Sequence, residues 1–255
     1  MIYDKLTVAL LGTLASERQD STNSHIARYL LSHQDVLGDL TVKGLAQACS
    51  VGVGSVSRFC REVGFANFEE LRQEVGSSSR AYEPVVEDDG VAERSVGLAS
   101  RVEGAIAQAA QSVDLLAVGR LVDDLLCYQK VSAYGMLKAQ AAAVDLQVDL
   151  LMQGKLVDTC VNHAEQLRRI SEADGSELVI VFSYTGSYFD ARDLTQTMKR
   201  LDRPKIWVVC GRRHDMPSFV SDRVLFSSSG SQLGHPYQLE MVAGIVAQEY
   251  ARRLA

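Results

Sequence analysis

The sequence predicts an all-α domain followed by an α/β doubly wound domain, a three-layer sandwich around a five-stranded parallel sheet. Three observations lead there. Up to residue 75 the apolar residues recur at helical spacing. From Gly76 to Gly90 the chain runs GSSSRAYEPVVEDDG, small polar residues, one proline and a short acidic run with no helical or strand period, which reads as a linker. Beyond it, helical stretches alternate with short β-branched runs, and LVIVFS and KIWVVC are apolar on both faces, as strands buried in a parallel sheet are. The expected division is residues 1–75, a linker over 76–94, and residues 95–255.

In the first domain Ile2, Leu6, Leu10, Leu11 and Leu14 mark one helix. A second begins near Ser21–Ser24, where several capping residues precede Ile26, Tyr29 and Leu30. Thr41 caps a short helix, VKGLAQAC, that turns Leu45 and Ala46 inward. Ser50 is expected to cap the next, VGVGSVSRFCREV, with Val53, Val56, Phe59, Cys60 and Val63 on its inner face. Gly54, Ser55, Ser57, Arg58 and Arg61 then face solvent, and Gly64 closes the helix. Phe65, Phe68 and Leu71 open another amphipathic helix.

Two short helices joined by a tight turn at Cys49–Val51 form a helix-turn-helix, whose second helix enters the DNA major groove. Hydroxyls reach phosphates or base edges, and guanidinium groups bind guanine or phosphate bidentately. A polar helix face of this kind also fits an ordinary bundle. The run LTVKGLAQACSVGVGSVSRFCREVGFANFEELRQEV, most specifically Ser55 to Phe68, resembles the helix-turn-helix domain of the RpiR family of sugar-responsive transcription regulators. The resemblance implies binding to a double-stranded DNA operator through Ser55, Ser57, Arg58 and Arg61. Gly52 and Gly54 depart from that pattern toward flexibility, each costing roughly 1 kcal/mol against alanine inside a helix. Residues 1–80 carry eight Lys/Arg against nine Asp/Glu, a sum of −1, so little non-specific phosphate attraction is available and modest affinity helped by dimerisation is expected.

In the second domain strands are expected near Lys130–Tyr134, Lys155–Thr159, Leu178–Ser183, Lys205–Cys210 and Arg223–Ser227. Helices fill Met136–Leu150, Asn162–Ala173, Ser187–Leu201 and Tyr237–Leu254, with Ala92–Val118 leading in. Doubly wound sheets bind ligands beyond the carboxyl ends of their strands, where helix N-termini offer N–H groups to anions. The third strand ends in FSYTGSYFD: Ser183, Thr185 and Ser187 supply hydroxyls and Gly186 admits close backbone approach, a pattern that suits a phosphate or a simple capping turn.

The order of elements over residues 95–255 resembles the sugar isomerase (SIS) domain of RpiR-type proteins. In that family the third-strand loop reads S-x-S-G-x-T; here Ser183 and Gly186 match, Thr185 replaces the second serine and Tyr188 stands at the threonine. The first-strand loop reads G-x-G-x-S; here it is Gly135-Met136-Leu137-Lys138-Ala139, so only Gly135 matches and Lys138 offers a replacement positive charge. The resemblance implies a small phosphorylated sugar as effector and a homodimer or higher homo-oligomer.

The totals exclude other classes. The net charge of −6, with 47% hydrophobic and 23% charged residues, fits a soluble globular protein and not a chain coated in basic residues. Cys49, Cys60, Cys127, Cys160 and Cys210 form no C-x-x-C pair, and His25, His33, His163 and His214 lack metal-ligand spacing, so no disulfide framework, metal or cofactor is expected. No basic start followed by an apolar stretch and cleavage site, and no bilayer-length apolar run, is present, which predicts a cytoplasmic protein with no membrane partner. Two rival functions remain. A sugar-phosphate isomerase would need a base, for which His235 and Glu240 are the candidates, both equally explained as capping and surface residues. An α/β domain that only dimerises would bind no sugar. Arg212, Arg213 and His214 form a basic cluster after the fourth strand, at a pocket mouth or in a solvated loop.

Overall fold

The computed structural model describes residues 5–33, 37–75, 90–191, 194–211, 215–228 and 233–255. Residues 76–89 of the expected linker, Ile2 and the Arg212–His214 cluster lie outside the described residues, and the last four residues of that linker, Val91–Arg94, open a helix. The chain divides into two compact units, Met1–Ala81 with Cys160–Arg168, and Tyr82–Thr159 with Arg169–Ala255. No described helix is long and apolar enough to cross a membrane.

The first unit holds α1 (Lys5–Ser16), α2 (Thr22–Ser32), a 3-10 turn (Leu37–Asp39), α3 (Val42–Ala48), α4 (Val53–Glu62) and α5 (Phe68–Val75). Ser21 caps α2 by accepting from the Ser24 amide (3.0 Å), and Thr41 caps α3 through the Gly44 amide (3.0 Å). Leu10, Ile26, Leu30, Leu45, Val56, Phe59, Phe65 and Leu71 meet in one core, each fully buried side chain contributing about 1.5–3 kcal/mol. Cys60 lies in that core, and burial pushes its thiol up to about 11, so it packs as a small hydrophobe.

Two expectations at the α3–α4 turn are corrected. Ser50 does not cap α4. It sits at φ 54°, past the end of α3, where its amide donates to Gln47 O (3.0 Å) and the Val51 amide donates to Ala46 O (2.9 Å). That is a Schellman closure, which uses a left-handed residue after the C-cap, and Gly64 (φ 91°) repeats it after α4. The α4 N-cap is Gly52, with no side-chain bond. Val53, at the first helical position, is exposed and not part of the inner face.

The second unit contains α6 (Val91–Ser112), α7 (Leu115–Cys127), β1 (Lys130–Gly135), α8 (Ala139–Leu151), α9 (His163–Glu172, shared with the first unit), β2 (Glu177–Phe182), β3 (Lys205–Cys210), β4 (Asp222–Leu225) and α10 (His235–Leu254). The expected single lead-in helix breaks at Val113, because Asp114 caps α7 through the Ala117 amide (2.9 Å) while its own amide pairs with Leu225 O. The sheet is parallel in the order β1-β2-β3-β4, so it has four strands and not five. Lys155–Thr159 shrinks to one parallel bridge, Ser132 with Asp158, on the outer side of β1. The Lys155 amide is spent closing α8 on Leu150 O, and only the Asp158 amide and carbonyl reach β1, at Val131 and Ala133.

Among the described residues, the helix expected over Ser187–Leu201 is also absent. Two 3-10 turns, Tyr188–Ala191 and Thr197–Lys199, stand in its place. Tyr188 and Phe189 are consecutive and both buried, with Phe189 edge-on to Tyr188 (4.9 Å) and Phe219 (5.1 Å), and neighbouring positions on an α-helix point about 100° apart. α8 packs on β1, β2 and α10, while α10 also covers α6, α7 and β3. At the opposite flank Asp124 of α7 accepts from Trp207 Nε1 (2.7 Å) and Lys205 Nζ (2.9 Å), pinning the helix to β3.

Candidate functional site

Two places concern function, one in each unit. In the first, α4 is held from behind by Val56, Phe59 and Cys60, all buried, which turns Ser57, Arg58 and Arg61 outward. Ser55 is half-buried at the edge of this face. Ser57 Oγ donates back to Val53 O (3.2 Å) and Arg61 Nε to Ser57 O (3.3 Å), which lays the arginine along the helix and leaves its terminal nitrogens outward. Arg58 has no ion-pair partner among the described residues. A Cβ added at Gly52 or Gly54 would meet nothing within 4 Å, so the start of the helix presents bare backbone. From Leu40 to Arg61 the chain carries Lys43, Arg58 and Arg61 and no carboxylate, a local +3 that the sum of the whole domain conceals. Glu62, next in line, is engaged by Asn23 Nδ2 (2.8 Å).

In the second unit the two expected loops are neighbours. Gly135 at the end of β1 pairs in register with Phe182 at the end of β2, so the 135–138 and 183–187 turns emerge side by side. They flank the topological switch point. After β1 the chain passes through α8 to the Asp158 bridge on one side of β1, then returns to form β2 on the other. Crevices of open α/β sheets form where successive connections diverge in this way.

The hydrogen bonds there differ from an open anion cradle. The Gly135 amide donates to Gln140 Oε1 (3.0 Å), whose Nε2 donates to Thr159 Oγ1 (2.7 Å), which donates to Ala133 O (2.6 Å). The amides of Ala139, Gln140 and Ala141 donate to Met136, Leu137 and Lys138 carbonyls, so the first amides of α8 are used within the turn. A Cβ at Gly135 would lie 2.5 Å from Ala139 O, so this glycine is required by packing. Leu137, at the position of the family's second glycine, keeps a left-handed φ of 51°. Lys138 is exposed at the start of α8.

In the second loop Ser183 and Ser187 are buried and Thr185 half-buried, with Thr185 Oγ1 and Ser187 Oγ 2.5 Å apart. Gly186 has φ 77° and its amide donates to Ser183 O (2.9 Å). The chain then enters a 3-10 turn, so no helix N-terminus backs the loop.

Sequence reasoning missed a polar cluster at the same edge of the sheet. Tyr184 Oη and Ser228 Oγ share a hydrogen bond (2.5 Å), Ser228 Oγ donates to Gln238 Oε1 (2.7 Å), and Gln238 Nε2 donates to Ala105 O (2.8 Å). His235 is buried with its ring 4.8 Å from that of Tyr184. The signal was the serine-rich end of β4, but its partners stand 44 residues before and 10 after it. Glu240 instead lies beside Asp145 of α8, and burial followed by that charge raises its carboxyl above the usual range. The two isomerase candidates are thus turned to different neighbours. No group of three His, Cys, Asp or Glu side chains among the described residues is placed to hold a metal.

The helix-turn-helix domain of the rpiR family matches residues 9–80. Over 166 residues the chain is 26% identical to the HTH-type transcriptional regulator HexR of Pseudomonas aeruginosa, covering 63% of this chain and 58% of that relative, less than two thirds of its length. Among solved structures, the NanR protein of Vibrio vulnificus complexed with ManNAc-6P matches 97% of this chain and 92% of its own at TM-score 0.53 and 14% identity. The sugar isomerase domain of an RpiR transcription factor from Sphaerobacter thermophilus matches 62% of this chain and 90% of its own, at TM-score 0.52 and 18% identity. A putative sugar-phosphate isomerase of Listeria monocytogenes covers 66% of this chain and 93% of its own, at TM-score 0.56 and 11% identity. At such identities the structures speak for the fold. The chain thus carries a helix-turn-helix domain of the rpiR family over residues 9–80, and its α/β unit has the fold of the sugar isomerase domain.

Proposed function

We propose that the protein is a bacterial, cytoplasmic transcription regulator of sugar metabolism. Residues 1–75 bind operator DNA, 76–94 link, and 95–255 dimerise and take a small phosphorylated sugar at the switch point. The observation that carries this is α4: a buried back, an outward Ser57-Arg58-Arg61 face and a carboxylate-free +3 stretch. A helix so placed enters the major groove, with Arg58 and Arg61 reaching guanine edges or phosphates. HexR being named a regulator and NanR being complexed with ManNAc-6P favour a sugar-phosphate effector over an isomerase reaction, as do the different neighbours of His235 and Glu240.

The test is fluorescence anisotropy on DNA from upstream of the protein's own gene, at low and moderate salt. Saturable, salt-sensitive binding is expected, with Arg58→Ala weakening it by about 1–3 kcal/mol, a factor of roughly 5–150. Binding unchanged by Arg58→Ala removes α4 from the interface.

A second reading has its own support. The Gly135 amide is taken by Gln140, and Thr185 and Ser187 hydrogen-bond one another. An α/β unit so satisfied can serve only to pair two DNA-binding heads. Thermal shift with ManNAc-6P, glucose 6-phosphate and inorganic phosphate separates the two: a rise in Tm supports an effector site, and none with any of them supports the pairing module.

A further inference from the structure

α4 carries one residue that its polar outer face does not explain. Val53 opens the helix and is 43% exposed, while Val56, Phe59 and Cys60 on the inner side are buried. Among the described residues of α1 to α5, Leu11 is the other large apolar side chain left so open. A lone apolar residue on a surface is ordinary. The place of this one is not. Val53, Ser57 and Arg61 stand at i, i+4 and i+8, one above another on a single outward ridge. Ser57 Oγ donates to Val53 O (3.2 Å) and Arg61 Nε to Ser57 O (3.3 Å), so the ridge is bonded along its length and Val53 is its leading end.

The positions on either side of Val53 are bare. Gly52 and Gly54 are both exposed, and a Cβ at either would meet nothing within 4 Å. Neither glycine uses a left-handed φ. Packing and backbone conformation inside the unit therefore give no reason for glycine here, and at Gly54, within the helix, alanine is the better helix former. The two missing side chains leave Val53 standing clear at the tip of α4, where another surface can close on it. The surrounding charge says which surface: Lys43, Arg58 and Arg61, with no carboxylate from Leu40 to Arg61, suit a polyanion.

The first residues of a recognition helix are the ones that meet base edges in the major groove. A valine offers no donor or acceptor there, so the preference it can express is for an apolar group. Among the base edges of the major groove that group is the 5-methyl of thymine. We propose that Val53 is a specificity-determining residue that seats on the methyl group of a thymine, with Gly52 and Gly54 giving the groove room to close around it. The inference rests on the DNA-binding reading above and names what the tip of α4 recognises.

Fluorescence anisotropy of the full chain tests it on the duplex that the protein protects from nuclease upstream of its own gene. Each thymine of the protected sequence is replaced in turn by uracil, which lacks only the methyl group. The wild type is expected to lose roughly three- to fivefold in affinity at one of these positions, what one buried methyl group is worth. Val53→Ser is expected to bind the thymine duplex about as weakly as the wild type binds that uracil duplex, and to be indifferent to the replacement. Such non-additivity assigns the contact. Gly54→Ala separates binding from folding: it favours the helix and is expected to raise Tm while weakening operator binding several-fold, because its methyl group fills space the groove needs. A wild type that binds every uracil duplex as tightly as the thymine duplex overturns the proposal, as does a Val53→Ser protein that keeps the wild type's sensitivity. Either of those results, with binding still lost in Arg58→Ala, leaves the DNA-binding reading standing and removes Val53 from the bases. A wild type that binds no duplex even at low salt sinks that reading and this assignment together.

Discussion

At the scale of single residues, backbone conformation decides more than side-chain chemistry. Ser50, Gly64 and Gly154 each close a helix in the left-handed region, and only the serine bears the cost of a Cβ there. Ser50→Gly is therefore expected to raise stability by about 0.5–1 kcal/mol in urea unfolding, whereas a Ser50 that capped α4 would lose a few tenths on the same change. Gly64 was legible in the sequence because glycine after an amphipathic run announces a closure. Ser50 was not, because serine is also a common N-cap and the two roles stand two residues apart. Thr185 tests the ligand loop. Its hydroxyl bonds Ser187, so Thr185→Val is expected to weaken sugar-phosphate binding at least several-fold by calorimetry while leaving the fold intact. Unchanged affinity removes this loop from the site.

At the scale of elements, periodicity announced the helices, and competition for backbone groups decided where they stop. The α6–α7 break follows from Asp114, whose side chain caps the second helix. The fifth strand fails because the Lys155 amide already serves α8. Neither competitor is visible in the hydrophobic pattern, which is continuous through both places. The α7–β3 contact is a different case. Asp124 is 14% exposed at its side chain and receives both Trp207 Nε1 and Lys205 Nζ, and no spacing rule links positions 83 residues apart. Asp124→Ala strands the Trp207 donor beside a half-exposed lysine, and a loss of about 1–3 kcal/mol is expected by chemical denaturation. A smaller loss for Asp124→Asn, which keeps an acceptor, would identify the tryptophan bond as the larger part.

At the scale of the whole molecule, pH acts on stability in two opposed ways. Hydrogen bonds from Arg252 and Arg253 hold the Glu249 carboxyl down at about 2. A lowered folded-state value means its contribution is present above the ordinary 4.5 and is lost as pH falls from there toward about 2. Asp145 and Glu240 are raised, mainly by burial, so the folded state binds protons more readily and gains stability as pH falls through the interval just above ordinary carboxylate values. Glu249→Gln is expected to flatten the acid limb of the stability curve between pH 4.5 and 2, measured at fixed protein concentration. An acid limb as steep as the wild type's would show that Glu249 is screened by solvent in solution.

The sequence by itself determined the helix-turn-helix, its outward Ser57, Arg58 and Arg61, and four of the five expected strands with most of the helices around them. These follow from periodicity and capping, which are local and leave their marks within a few residues. Only the tertiary structure decided that the Gly135 amide belongs to Gln140, that a 3-10 turn replaces the helix after Ser187, that Tyr184, Ser228 and Gln238 share one network, and that Val148 remains uncovered. Each of those depends on which distant group reaches a donor, an acceptor or an apolar face first, and that competition is settled in space and not along the chain.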